Sequence, residues 1–461
     1  MNVKDGQQTF AGELSLSPER ITLKVMGEEN EDRKCGIGWS DIQTLTCTDL
    51  NSTFHLLGLK CNSSLGKALE HFPKSRSYFE IHFEAEYVIY SPTYMSHNPA
   101  FYGLKLQFAA LPDWLGNTTN QEQIIQQYRS GNKVLDSVDL FNEFIVTVGE
   151  EGVLYIGYSP TVYHSSPEFR AGIKFPPALF FAFKSHKEAS QAIQLFTELR
   201  TFFQVVIGDD LDIEEIELFY DGLGPFNQKA FLFYSSGRYS SRSRHSLVFY
   251  PLSRNLRFDT LGLPEFPIEA FDTYFRLNKR ERSYFIKYVR YRRLQNVEER
   301  FLGYFRLLES VCYKAGSYLD DELLSKLSER SKPILYKYFK DRKAVNGFLR
   351  RLPKYNNSKY NTEKCIGDFL KSVPLSLSSS WAYQKQDLAK ICKLRNDISH
   401  ANHYEVSDED MESMAKYCEV LLVISLLLKL GISLDSAIAV IGRIEGYFLL
   451  KKAIDNQAQQ R

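Results

Sequence analysis

A chain of 461 residues is longer than one ordinary domain and implies two or three cores. Its 44% hydrophobic and 25% charged residues are ordinary for a globular protein and exclude a wholly disordered one. The formal net charge of +1 excludes a uniformly basic chain, yet 27 Lys and Arg against 13 Asp and Glu between Arg238 and Tyr360 leave that stretch at +14, as a polyanion-binding surface would need.

The first nine residues, Met1 to Thr9, are polar and lack the apolar core of a signal peptide, so a cytoplasmic location is expected. From Phe10 to about Phe219 the pattern is short runs broken by turn residues. Leu14-Ser-Leu, Ile21-Thr-Leu-Lys-Val, Ile42 to Cys47, Tyr78 to Tyr90, Leu104 to Phe108 and Phe144-Ile-Val-Thr-Val alternate apolar and polar positions and are rich in β-branched and aromatic residues. That predicts half-buried antiparallel strands in a sandwich or barrel. Glu188 to Phe203 is the exception, because Ala192, Ile193, Phe196 and Leu199 recur at helical spacing. A segment rich in Ser, Arg and Pro, Ser235 to Pro267, then separates the strand pattern from a helical one.

In the helical part, Lys279 to Arg293 interleaves cations with aromatics, which makes Lys287, Arg290, Arg292 and Arg293 candidate RNA contacts, and the cations from Lys337 to Arg351 share that expectation. Tyr284, Tyr288 and Tyr291, at i, i+4 and i+7, fit a buried stripe as well as a stacking platform. Leu294, Val297, Phe301, Phe305, Leu308 and Cys312 form one apolar stripe. Further helices are predicted over Trp381 to Ser399 and over Met411 to Leu430, the latter with Ser407-Asp-Glu-Asp410 as N-cap and acidic first turn. The apolar run Val420 to Leu430 falls short of the roughly 20 residues that cross a bilayer and reads as a buried helix, so no membrane association is expected. Seven cysteines without a C-x-x-C pair read as reduced, mostly core thiols. Helices of this length with short connections form an antiparallel bundle. The expected fold is α+β multidomain: a β-rich regulatory or sensor domain over 1–222, a connecting segment over 223–278 and an all-α domain over 279–461.

Arg395-Asn-Asp-Ile-Ser-His400 ends one predicted helix and is followed by a polar loop, Ala401 to Val406. An arginine and a histidine separated by four residues, between the last two long helices of a bundle, resemble the R-x4-6-H motif of HEPN ribonucleases. Tyr304-Phe-Arg-Leu-Leu-Glu309 looks like the HEPN helix that carries an acidic residue. At the other end, Phe10-Ala-Gly-Glu-Leu-Ser-Leu, Cys35 to Cys47 and Phe101-Tyr-Gly-Leu-Lys-Leu to Leu111-Pro-Asp-Trp-Leu115 look like the N-terminal domain of the ApeA family of bacterial anti-phage defence proteins. The resemblance implies a C-terminal HEPN bundle, an endoribonuclease acting in abortive infection with tRNA as one candidate substrate, a homodimer or higher even oligomer, and a phage-derived trigger. Arg395, His400, Asn396 and Glu309 are the candidate catalytic residues.

The chemistry of those residue types supports the reading. A neutral imidazole takes the proton from a ribose 2′-hydroxyl, which attacks the adjacent phosphorus, while a guanidinium stabilises charge on the phosphate oxygens. Such a route uses no metal or cofactor, and none is expected. Five helical steps of about 100° leave Arg395 and His400 roughly 140° apart on a regular helix. Either the helix ends before His400, or a second copy completes the site across a two-fold axis. Other readings compete: Arg395 and His400 as a surface charge and a helix-terminal cap, Asn396 as a merely exposed residue, Glu309 as a partner of either the catalytic pair or Arg306, and His403 with His400, Glu405 and Asp408 as a metal set that lacks a convincing ligand spacing. Tyr404 lies four residues after His400 rather than two, so the R-x4-H-x-Y pattern of HEPN toxins does not carry over. Rival functions are a catalytically silent HEPN RNA-binding or scaffold protein, and a sugar- or peptide-binding β-sandwich whose helices only dimerise.

Overall fold

The computed structural model describes residues 1–5, 8–29, 43–70, 76–130, 141–165, 170–221, 227–235, 247–258 and 261–451. Cys35 to Ile42 of the N-terminal resemblance and 236–246 of the Ser- and Arg-rich segment lie outside the described residues. The chain divides into two units, Met1–Arg276 and Leu277–Arg461.

The first unit is built on strands. In chain order these are β1 (Asn2–Asp5), β2 (Gln8–Leu16), β3 (Ile21–Glu29), β4 (Thr44–Asp49), β5 (Ser52–Leu57), β6 (Lys60–Glu70), β7 (Arg76–Ala85), β8 (Tyr87–Ser91), β9 (Ala100–Phe108), β10 (Phe144–Val148), β11 (Gly152–Tyr158), β12 (Thr161–Ser165), β13 (Arg170–Lys174), β14 (Pro177–Glu188), β15 (Ile213–Asp221) and β16 (Asn227–Tyr234). Fourteen of them form one antiparallel sheet in the order β10-β11-β14-β9-β15-β16-β8-β5-β4-β1-β2-β3-β7-β6, while β12 and β13 pair as a separate hairpin. β7 runs into β8 through Glu86, so one stretch of chain pairs first with β3 and then with β5. The sheet therefore curls, and Val3, Ile21, Leu23, Val25, Leu56, Ile81, Phe83 and Val88 meet in one core. Each such side chain contributes about 1.5–3 kcal/mol by leaving water.

The other half of the sheet is covered by α3 (Ala189–Ile207), which packs on β9 and β14. The predicted stripe of Ala192, Ile193, Phe196 and Leu199 is buried there. α1 (Leu111–Leu115) and α2 (Thr119–Arg129) precede it in sequence. Much of the stretch read as a connector belongs to this unit: β16 pairs with β15 and β8, the Phe249 and Tyr250 amides donate to the Ile207 and Val206 carbonyls at 2.8 and 2.9 Å, and α4 (Glu269–Arg276) places Phe271 4.5 Å from Phe202. Trp114 donates from Nε1 to the Tyr250 carbonyl at 2.9 Å, beneath the rings of Phe203, Phe266 and Phe271.

The second unit is helical: α5 (Lys279–Arg292), α6 (Val297–Cys312), α7 (Asp321–Phe339), α8 (Arg342–Asn356), α9 (Thr362–Leu370), α10 (Leu375–Ser378), α11 (Leu388–Ser399), α12 (Asp408–Lys429) and α13 (Leu434–Ile441). Side chains of Asn278, Asn296, Asp320, Asp341, Asn361, Ser407 and Ser433 cap helix N-termini, which satisfies amide groups that the helices leave open. α6 and α12 form the central pair, with Phe301, Phe305 and Leu308 on one helix and Val420 to Ile424 on the other all buried. No described helix is long and apolar enough to cross a membrane. The apolar residues of α12 are buried inside its own unit, as the sequence pattern implied. The helix expected from Trp381 starts only at Leu388, because Trp381 bridges to Lys451 and the Ala382 amide donates to the Leu450 carbonyl at 2.7 Å instead of joining a helical ladder.

Candidate active site

α11 buries Leu388, Ile391 and Leu394 and packs on α9, which leaves Arg395 at the margin of its buried face. The Arg395 guanidinium is held from three sides. Nη2 donates to Glu309 Oε2 at 2.9 Å, Nη1 donates to Asn396 Oδ1 at 2.9 Å, and the central carbon lies 5.6 Å from the Phe305 ring centre. Its Nε–H is buried and has no acceptor among the described residues, so the donors left for a ligand are the second N–H of Nη1 and of Nη2. Glu309 and Phe305 share a face of α6 because they are one turn apart. The second Glu309 oxygen accepts from the Thr362 hydroxyl at the start of α9. Of the two partners the sequence left open for Glu309, the structure brings it to Arg395.

His400 closes α11. Its amide still donates to the Asn396 carbonyl at 3.0 Å, its imidazole is exposed, and Ala401 turns the chain away at a φ of 54°. Asn402 ties the turn back, donating from its amide to the Asp397 carbonyl at 2.8 Å. The regular helix ends at Ser399, and His400 itself takes φ −104° and ψ 7°, outside the helical region, while its amide still bonds back to Asn396. Beyond the turn, the Tyr404 hydroxyl donates to Glu298 on α6, a bond that also raises its pKa. Cys392, one turn before Arg395, is pushed up to about 11 by burial and so is no thiolate nucleophile at neutral pH. Asn396 is exposed beside Arg395.

The four cations expected to contact RNA separate. Lys287 and Arg290 are exposed on α5, and Arg293 is half-buried. Arg292 is corrected: it is 9% exposed, with its guanidinium 5.9 Å from the Tyr288 ring centre, inside the helical core. There the hydroxyls of Tyr288 and Tyr304 donate to Glu419 Oε1 at 3.1 and 3.3 Å, and Lys416 pairs with the other Glu419 oxygen. Burial, and then the charge of Glu419, raise the pKa of both tyrosines. Tyr284 and Tyr288 of the stripe are accordingly core, while half-buried Tyr291 packs over Gly303, where a Cβ would stand 2.5 Å from the ring.

Sequence reasoning missed Thr362 and the Phe305 face beneath Arg395. Phe305 was already in the apolar stripe, one turn from Glu309, so its place was readable; Thr362 carried no signal, being 53 residues from Glu309.

Two family models match the chain: ApeA N-terminal domain 1 over residues 1–262 and Apea-like HEPN over residues 268–436. No curated protein and no solved structure matches it.

Proposed function

The chain belongs to the ApeA family, and from that premise we propose that it is a cytoplasmic, metal-independent endoribonuclease of anti-phage defence. At the level of the family, the HEPN domain supports a nuclease- or RNA-related defence role. The reading of this chain rests on one observation: Arg395 is anchored by Glu309, Asn396 and Phe305 while His400 stands exposed five residues on. In the proposed reaction, the His400 imidazole accepts the ribose 2′-hydroxyl proton and the 2′-oxygen bonds to phosphorus. The bond from phosphorus to the 5′-oxygen breaks, and that oxygen takes a proton from a protonated imidazole, leaving a 2′,3′-cyclic phosphate and a 5′-hydroxyl. Arg395 and its fork of donors stabilise the charge on the phosphate oxygens.

The angular separation of the two residues supports a homodimer or a higher even oligomer in which each site takes Arg395 from one copy and His400 from the other, so that a dimer holds two sites and His400 serves first as base and then as acid. The β-rich unit is proposed to restrain the nuclease and to respond to a phage-derived trigger. Incubation of the purified protein with total RNA, beside a His400→Ala control, tests the activity. RNA binding without cleavage would instead support the silent RNA-binding or scaffold reading. Substrates with 2′-deoxyribose at the cut site should resist, whereas added chelator should leave the rate unchanged; loss of activity in chelator would overturn the assignment.

A further inference from the structure

α7 and α8 form a helical hairpin whose base is pinned. Asn356 accepts the Leu319 amide at 2.8 Å and donates to the Leu319 carbonyl at 2.8 Å and to Asp321 at 2.7 Å. Beyond that base the hairpin buries little of itself: α7 has no buried residue, and α8 buries only Val345, Leu349 and Asn356. What α8 turns outward is patterned. At 100° per residue, Lys343, Arg350 and Lys354 fall within about 40° of one another, Phe348 and Tyr355 lie about 20° apart on a second ridge, and Arg351 sits between. Phe348 is 53% and Tyr355 58% exposed. Among the described residues, Lys343, Arg350, Arg351 and Lys354 make no ion pair, and from Arg330 to Lys354 nine Lys and Arg face a single acid, Asp341. A solvated face of a stable helix is normally interleaved with acids; this one is not.

Gly347 is the second, independent observation. It lies on the cationic ridge in the interior of α8, where glycine destabilises a helix by about 0.5–1 kcal/mol relative to alanine. Among the described residues nothing requires it, since a Cβ there would meet no atom within 4 Å. It leaves a notch in which another molecule's backbone can approach the helix between Lys343 and Arg350.

We propose that the outward face of α8 is a docking surface for single-stranded RNA, with phosphates on the Lys343, Arg350 and Lys354 ridge, the sugar-phosphate chain crossing the notch at Gly347, and bases stacked on Phe348 and Tyr355. Uncompensated cations select a polyanion, and flat exposed rings beside them select one with unpaired bases over a duplex or an acidic peptide. The inference rests on the reading that RNA is the substrate, but it is tested by affinity, so it can fail while cleavage stands and can hold where cleavage is absent.

The experiment uses the full chain carrying His400→Ala and a short labelled single-stranded RNA, with anisotropy followed across a salt series. Changing Lys343, Arg350 and Lys354 to Glu should weaken binding at least tenfold and reduce the slope of log affinity against log salt by about 2, since single strands give roughly 0.7 per neutralised phosphate. Phe348→Ala with Tyr355→Ala should weaken binding about tenfold while leaving that slope unchanged. Gly347→Leu gives the sharpest contrast, because it should raise the melting temperature and still lower affinity. Unchanged RNA affinity in all three overturns the proposal. So does a shift in sedimentation or a loss of binding to anionic vesicles without any loss of RNA affinity, which would assign the face to a protein contact or a membrane surface.

Discussion

Arg395 has two demands on it: its guanidinium must be fixed in place, and it must keep hydrogen-bonding capacity for a phosphate. Glu309 meets the first by taking one edge, at 2.9 Å, and is itself aimed by Thr362. Glu309→Ala should therefore lower kcat by on the order of tenfold with little change in KM, while Glu309→Gln, which keeps an acceptor, should retain most of the activity. A change confined to KM would make Glu309 a contact for RNA instead. Arg395→Lys keeps the charge and loses the fork, so it should also impair cleavage. His400→Ala should reduce cleavage on the order of a hundredfold or more and leave RNA affinity nearly intact, because one exposed imidazole adds little to a multi-phosphate contact. The motif was legible because Arg395 and His400 lie within six residues, whereas Thr362 reaches Glu309 only through the packing of α9 on α6. A separate residue in the first unit sets a pH dependence. His55 is buried, with Nε2–H donating to the Ser96 carbonyl and Nδ1 accepting from Thr46, each at 2.9 Å, and burial lowers its pKa from 6.5 to about 4. The unfolded chain then binds the extra proton first, so this stability is present above about pH 6.5 and is lost as pH falls toward 4. It amounts to about 3 kcal/mol at most. Melting temperature should fall over that interval, and His55→Gln should flatten the fall; an equal fall in the variant would assign it to other groups.

At the scale of elements, α5 and α12 show where a periodic pattern decides and where it does not. Tyr284 and Tyr288 recur at helical spacing and are buried, so the period located the face. Arg292 lies close to Tyr288 and Val289 around the helix, and a run of cations in the sequence hid the fact that one of them belongs to that buried face. Its guanidinium lies over the ring of Tyr288, whose hydroxyl donates to the buried Glu419 of α12, and Glu419 is unremarkable in a sequence that reads Tyr417-Cys-Glu-Val-Leu-Leu. Glu419→Ala should strip acceptors from Tyr288, Tyr304 and Lys416 at once and destabilise the helical unit by about 3–5 kcal/mol in chemical denaturation. A loss below about 1 kcal/mol would mean that the network reorganises around the gap. The same contrast explains the late start of α11: the apolar pattern from Trp381 is real, but Trp381 is buried with its Nε1 donating to the Tyr447 hydroxyl at 2.9 Å, a partner 66 residues away.

At the scale of the whole molecule, the change from strand period to helix period separated two classes of structure, and the two units follow that change. The junction was harder to read, since Phe249 and Tyr250 enter the first unit through hydrogen bonds to the last carbonyls of α3 and α4 enters it through aromatic contacts, neither of which leaves a period in sequence. The number of chains per active site lies deeper still, and the structure bears on it only through the phase of α11. If Arg395 and His400 acted from the same chain, they would have to converge from positions that a regular helix sets roughly 140° apart, with only the end of α11 after Ser399 to bring them together. If they act from two copies, each faces a different partner and no convergence is needed. Mixing the two dead chains separates these cases: a dimer of one Arg395→Ala chain and one His400→Ala chain retains one site with both groups intact only when the site is shared. Co-expression with different affinity tags should then recover about a quarter of the unmodified activity, because about half of randomly assembled dimers are mixed and each holds one of two sites. Recovery should follow the doubly tagged species through purification. No recovery in that species, or full activity from a sedimenting monomer, would return both residues to a single chain.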